Sequence, residues 1–111
     1  MLRHALTLNP KLSKGWIHLG IEGGGTVAGV EFSEVECYAK ALAADPESAQ
    51  GWLNLGVLGG GPVAGAQLSE VECYQRCLTL DPERSAGWFN LGVEGGGVVG
   101  GVDNSKAECY Q

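Results

Sequence analysis

Two amphipathic patterns alternate along the chain. From about Pro46 to Leu58, the apolar and small residues Ala49, Trp52, Leu55 and Gly56 fall at i, i+3, i+6 and i+7, one face of a helix. After Ser33 the same spacing returns at Val35, Tyr38, Ala41 and Leu42, a second apolar stripe. Both patterns recur at a step of 36 residues. Gly-Trp stands at Gly15-Trp16, Gly51-Trp52 and Gly87-Trp88, and Glu-Cys-Tyr ends at Tyr38, Tyr74 and Tyr110. Residues 15–50 and 51–86 agree at 20 of 36 positions without a gap, and 87–111 agree with 51–75 at 16 of 25. Agreement at that level marks internal repeats.

Helix boundaries are written in the residues between the stripes. Asp45 before Pro46 predicts an N-cap followed by proline at the first helical position. The triplet Gly59-Gly60-Gly61 ends that helix, because glycine accepts the left-handed conformation at a C-terminus. Ser33, Ser69 and Ser105 each precede a glutamate by three residues (Glu36, Glu72, Glu108), the capping box that opens the second helix. Between the helices, Gly25–Phe32 and Gly61–Leu68 carry β-branched or apolar residues on both sides of an Ala-Gly centre, Gly-Gly in the third copy. A turn with glycine at its third position fits, closing at most a very short hairpin. Three or four residues a side make no sheet alone. The loop is expected to lean on the helices through Val27 and Phe32.

The chain therefore divides as a single repeat domain over 1–111: the tail of a unit (1–14), two units (15–50 and 51–86) and a partial one (87–111). Neither end carries the polar cap of a terminal repeat, so the chain is expected to be an internal piece of a longer array and to associate end to end.

Composition narrows the chemistry. A net charge of -6 without a basic stripe argues against nucleic acid as partner. No apolar run approaches the roughly 20 residues that span a bilayer, which argues against a membrane role. Cys37, Cys73 and Cys109 are one repeat position, and Cys77 is the fourth cysteine. Small, buried, reduced thiols in a cytoplasmic setting are the expectation. Cys73 and Cys77 stand four apart on a helix, but no second pair completes a metal site. His4 and His18 have no repeated counterpart and read as surface histidines. Neither a catalytic group nor a cofactor site is expected. The glycine triplet could offer N–H groups to a phosphate, the alternative function. No lysine follows at P-loop spacing, and Glu34 and Glu36 already occupy the helix N-terminus.

Trp52-x-x-Leu55-Gly56, Tyr74 eight before Pro82, and Ala41 or Cys77 five before a proline resemble the tetratricopeptide repeat. A Sel1-like repeat is the related alternative. The unit departs from the pattern by two extra residues between the helices. Gly59 stands where a tyrosine is expected, and Glu70 where a small residue is. The resemblance implies an all-α solenoid of antiparallel helix pairs. Its repeat core would be Trp16, Leu19, Gly20, Tyr38, Trp52, Leu55, Gly56, Tyr74, Trp88, Leu91, Gly92 and Tyr110. It also implies a non-enzymatic scaffold whose concave first-helix face holds a protein or extended peptide, with His18, Leu53, Asn54, Val57, Phe89, Asn90 and Val93 as candidate contacts. The Lys and Arg of a carboxylate clamp are not evident. A further alternative is that the piece has no function alone.

Overall fold

Serine caps and glycine stops divide the chain into alternating helices and strand pairs. The computed structural model describes residues 2–110, with side chains from Ala5 onward, so the side chain of His4 lies outside the described residues. In order, the elements are α1 (Leu2–Leu8), α2 (Ser13–Ile21), β1 (Gly25–Val27), β2 (Val30–Phe32), α3 (Glu34–Ala44), α4 (Ala49–Val57), β3 (Gly61–Val63), β4 (Ala66–Leu68), α5 (Glu70–Leu80), α6 (Ser85–Val93), β5 (Gly96–Val99), β6 (Val102–Ser105) and α7 (Lys106–Tyr110). Each full unit is helix, hairpin, helix.

The hairpins correct the all-α expectation. β1–β2, β3–β4 and β5–β6 are antiparallel pairs, with Thr26 opposite Glu31, Pro62 opposite Gln67 and Val98 opposite Asp103. The chain is thus mixed α/β, not a helical-repeat solenoid of helix pairs joined by turns. The turn supplies the reason. Both of its central residues have positive φ (Ala28 50°, Gly29 80°; Ala64 49°, Gly65 84°), and such a turn matches the twist of paired strands. Strands this short persist because helices support them. Val27, Val63, Val99 and Leu68 are buried, and Phe32 sets its ring edge-on to Trp16 at 4.8 Å.

The first helix of each unit also starts later than expected. Ser48, not Asp45, caps α4, its Oγ accepting from the Gly51 N–H at 3.2 Å. Asp45 and Pro46 form a turn instead. Asp45 Oδ1 accepts from the Glu47 N–H, and the Pro46 carbonyl accepts from the Trp52 indole at 2.8 Å. Trp16 and Trp88 hold Pro10 and Pro82 in the same way, at 2.7 Å each. The second helices open as read: Ser33 and Ser69 accept from Glu36 and Glu72, whose carboxylates accept back from the serine N–H groups. Ser105 and Glu108 make the same two bonds.

Packing between units runs through glycines. A Cβ on Gly51 would approach Leu42 to 2.9 Å, one on Gly15 would approach Leu6 to 2.9 Å, and one on Gly87 would approach Leu78 to 2.8 Å. Within units, the rings of Tyr38, Tyr74 and Tyr110 lie against Gly20, Gly56 and Gly92 at 2.6 Å by the same measure. The hairpins join the stack as well, since Gly61 faces Val35 and Gly97 faces Val71. The result is a row of units 46 × 23 × 19 Å in extent, with one core running through it. Cys37, Cys73, Cys77 and Cys109 are free and buried in that core. Burial pushes the Cys37 and Cys73 thiols up to about 11, with Glu36 and Glu72 adding to it, so both are protonated at neutral pH. No described helix is long and apolar enough to cross a membrane.

Candidate binding face

One side of the first helices carries an exposed aliphatic residue at the same place in every unit. Ile21, Val57 and Val93 are 59%, 61% and 57% exposed. Each stands in the last turn of its helix, three residues after His18, Asn54 or Asn90, so each pair shares a helix face. Between the first two units this face forms a concavity of about 280 Å³, lined by Ile21, Glu34, Tyr38, Gln50, Asn54, Val57 and Leu58.

Polar groups along this face tie the units together. Arg84 donates from Nη1 to Gln50 Oε1 at 2.6 Å, and Gln50 donates from Nε2 to Asn54 Oδ1 at 2.6 Å. Arg84 Nε lies 3.3 Å from Asp81 Oδ2, an ion pair without hydrogen-bond alignment. Asn54 reaches on to Tyr38. Burial pushes the Tyr38 phenol up, Glu34 and Cys37 add to that, and the hydrogen bond with Asn54 acts in the opposite sense. Asn54 is thus the half-buried end of a hydrogen-bonded chain that runs from Arg84 through Gln50. Asn90 makes no side-chain hydrogen bond among the described residues, because Ala86 stands where Gln50 stands one unit earlier.

The sequence-derived contact residues separate accordingly. Asn54 and Val57 lie in the concavity, and Asn90 and Val93 hold the equivalent places one unit on. His18 is exposed at the first-unit position. Leu53 is buried in the core and so does not line an open groove. Phe89 is exposed elsewhere, beside Tyr110 with ring centroids 5.6 Å apart. Of the repeat core, Trp88 is only half-buried and Tyr110 is exposed, while the other ten residues are buried. Ile21 and Gln50 have no place among the sequence-derived contacts, and Glu34 stands there only as a charge at a helix N-terminus. Ile21 was available from the repeat register, since it aligns with Val57 and Val93.

Carboxylates flank the aliphatic row. Glu70, at the start of α5, pushes the carboxyl of Glu94, after α6, up, by hydrogen bonding to its protonated form and by like charge. The pair opposes folding at neutral pH, and the penalty disappears as pH falls through the raised value and Glu94 takes a proton. Glu94→Gln should therefore melt above the parent at pH 7, with the gap closing as the solution is acidified through the carboxylate range. A lower melting temperature at pH 7 would contradict the pairing. Glu36, Glu72 and Glu108 have the opposite sign. Their bonds to the capping serines hold them down, so their contribution is lost on acidification.

The glycine loops bear on the phosphate reading. Gly59 and Gly60 N–H groups donate to the carbonyls of Gly56 and Leu55 at 3.0 and 2.9 Å, and Gly23 and Gly24 repeat the pattern with Gly20 and Leu19. These bonds close the helix ends and use the donors that an anion would need. Among the described residues no group of three or more His, Cys, Asp or Glu is placed to hold a metal ion. No protein-family model matches the sequence. No curated protein matches it either.

Proposed function

We propose that the chain is a non-enzymatic binding module that holds an extended segment of a partner protein along the row Ile21, Val57 and Val93. The observation that carries this reading is the return of one exposed aliphatic side chain at one position in every unit. Scattered exposed apolar residues are ordinary, but a periodic row beside a concavity offers successive sites to one extended ligand. Glu22, Glu34, Glu70 and Glu94 flank the row, and the chain carries a net charge of -6. The favoured segment therefore alternates apolar residues with Lys or Arg. Four free, buried thiols support a reducing compartment such as the cytoplasm.

Selection of short random peptides on the immobilised chain tests the reading. Enriched peptides should combine apolar and basic residues, and Val57→Asp should weaken their binding about tenfold or more while leaving the circular dichroism melt in place. Failure to enrich any binder, or binding indifferent to Val57→Asp, would overturn it.

A further inference from the structure

The tryptophans of the first two units are covered in different ways. In the first unit the chain covers its tryptophan with an aromatic ring of its own. Phe32 is edge-on to Trp16 at 4.8 Å, and Lys40 Nζ lies 5.8 Å from the centre of the Phe32 ring. Tryptophan, phenylalanine and cation follow one another outward. In the second unit Leu68 stands where Phe32 stands 36 residues earlier, and Arg76 stands where Lys40 does. No second ring is present there, and the Arg76 guanidinium lies on the tryptophan itself, 5.0 Å from the Trp52 centroid.

Beside this pair is a concavity of about 410 Å³ whose lining includes Pro46, Trp52, Arg76 and Leu80. It shares no residue with the concavity between the first two units. Pro46 and Leu80 are exposed and give it apolar walls. Glu72 and Arg76 both line it, so its charges balance, which suits an uncharged occupant. Arg76 is exposed and, among the described residues, holds the Trp52 ring but no hydrogen bond. It therefore has little to lose by moving outward.

We propose that this concavity takes a phenylalanine or tyrosine side chain of a partner protein, the ring entering between Trp52 and Arg76 as Phe32 lies between Trp16 and Lys40. The first unit holds that occupant in place as part of its own chain. Contact with a second ring and with a cation each favours an aromatic side chain over an aliphatic one. The volume is at the small end of binding pockets, enough for one side chain and its flanking main chain. Gln75 and Thr79 supply hydrogen-bonding groups for that main chain. The inference does not rest on the aliphatic row.

Proton–nitrogen NMR of the full chain tests it, reading the three tryptophan indole N–H signals, each assigned by a Trp→Phe variant. N-acetylphenylalaninamide added at millimolar concentration should move the Trp52 signal to saturation and leave Trp16 in place. N-acetylleucinamide should bind several-fold more weakly. Arg76→Ala should weaken binding about threefold. Leu68→Phe places a ring over Trp52 from within and should abolish binding. Phe32→Leu opens the same place in the first unit, so the Trp16 signal should now move as well. A Trp52 signal indifferent to the phenylalanine probe, or equally responsive to the leucine one, would overturn the proposal. So would a folded Leu68→Phe chain that binds like the parent, or a Trp16 signal that stays still in Phe32→Leu. If Leu68→Phe does not fold, the Arg76→Ala and Phe32→Leu results decide.

Discussion

Trp52→Ala should lower the free energy of unfolding by about 3–5 kcal/mol, the range for removing a large aromatic from a packed core. Trp52 is 2% exposed at the centre of the row of units. Its indole N–H is bonded to the Pro46 carbonyl at 2.8 Å, and the Arg76 guanidinium lies 5.0 Å from its ring centroid. The substitution therefore leaves a cavity and also frees the carbonyl that shapes the Asp-Pro turn. Trp52→Phe separates the two effects. It keeps most of the packing and loses the hydrogen bond, for about 1 kcal/mol plus a small cavity term. Trp88→Ala, at the same repeat position but half-buried, should cost visibly less than Trp52→Ala. Urea denaturation of the three variants reads all of this. A Trp52→Ala effect below about 1 kcal/mol would contradict the packing described here.

Gly60→Ala should cost about 3 kcal/mol or more, and Gly59→Ala about 1–2 kcal/mol. Both glycines have positive φ, 102° at Gly59 and 84° at Gly60, so an L side chain is strained at either. They differ in surroundings. A Cβ on Gly59 meets nothing within 4 Å. A Cβ on Gly60 runs into the carbonyl oxygen of Leu68, and backbone that is already paired in the hairpin and leads into the Ser69 capping box has little room to yield. The strain is therefore joined by a clash that displaces β4 or the start of α5. Equal losses for the two variants in chemical denaturation would show that φ alone decides, and that the hairpin is free to move.

The glycine triplet shows how far the sequence could be read. That it ends a helix followed from composition and position. Its three members nevertheless do different things. Gly59 turns the chain, Gly60 lies under the Leu68 carbonyl, and Gly61 lets the hairpin approach Val35 in α3 of the preceding unit. Close approach to a residue 26 positions earlier leaves no local signature. The hairpin joins neighbouring units, and that contact constrains it.

The candidate face was legible in part. The resemblance to the tetratricopeptide repeat points to Asn54, Val57, Asn90 and Val93, first-helix residues beside the Trp-Leu-Gly core. Leu53 and Phe89 could not be told apart by pattern, since both are apolar at one repeat position. One is buried and the other exposed only because the surroundings of the third unit differ from those of the second. Gln50 could not be recognised as a link, because its partner Arg84 is 34 residues away.

The sequence by itself determined the 36-residue period, the serine-glutamate starts of the second helices, the glycine stops and the identity of most core positions. Each of these depends on contacts within a few residues or on a repeat register visible in the letters. Tertiary structure alone decided that the loops are paired strands and which side of each helix remains open. Three-residue strands are too weak to exist without the helices beneath them. Exposure belongs to neither a residue nor its helix but to what the next unit covers.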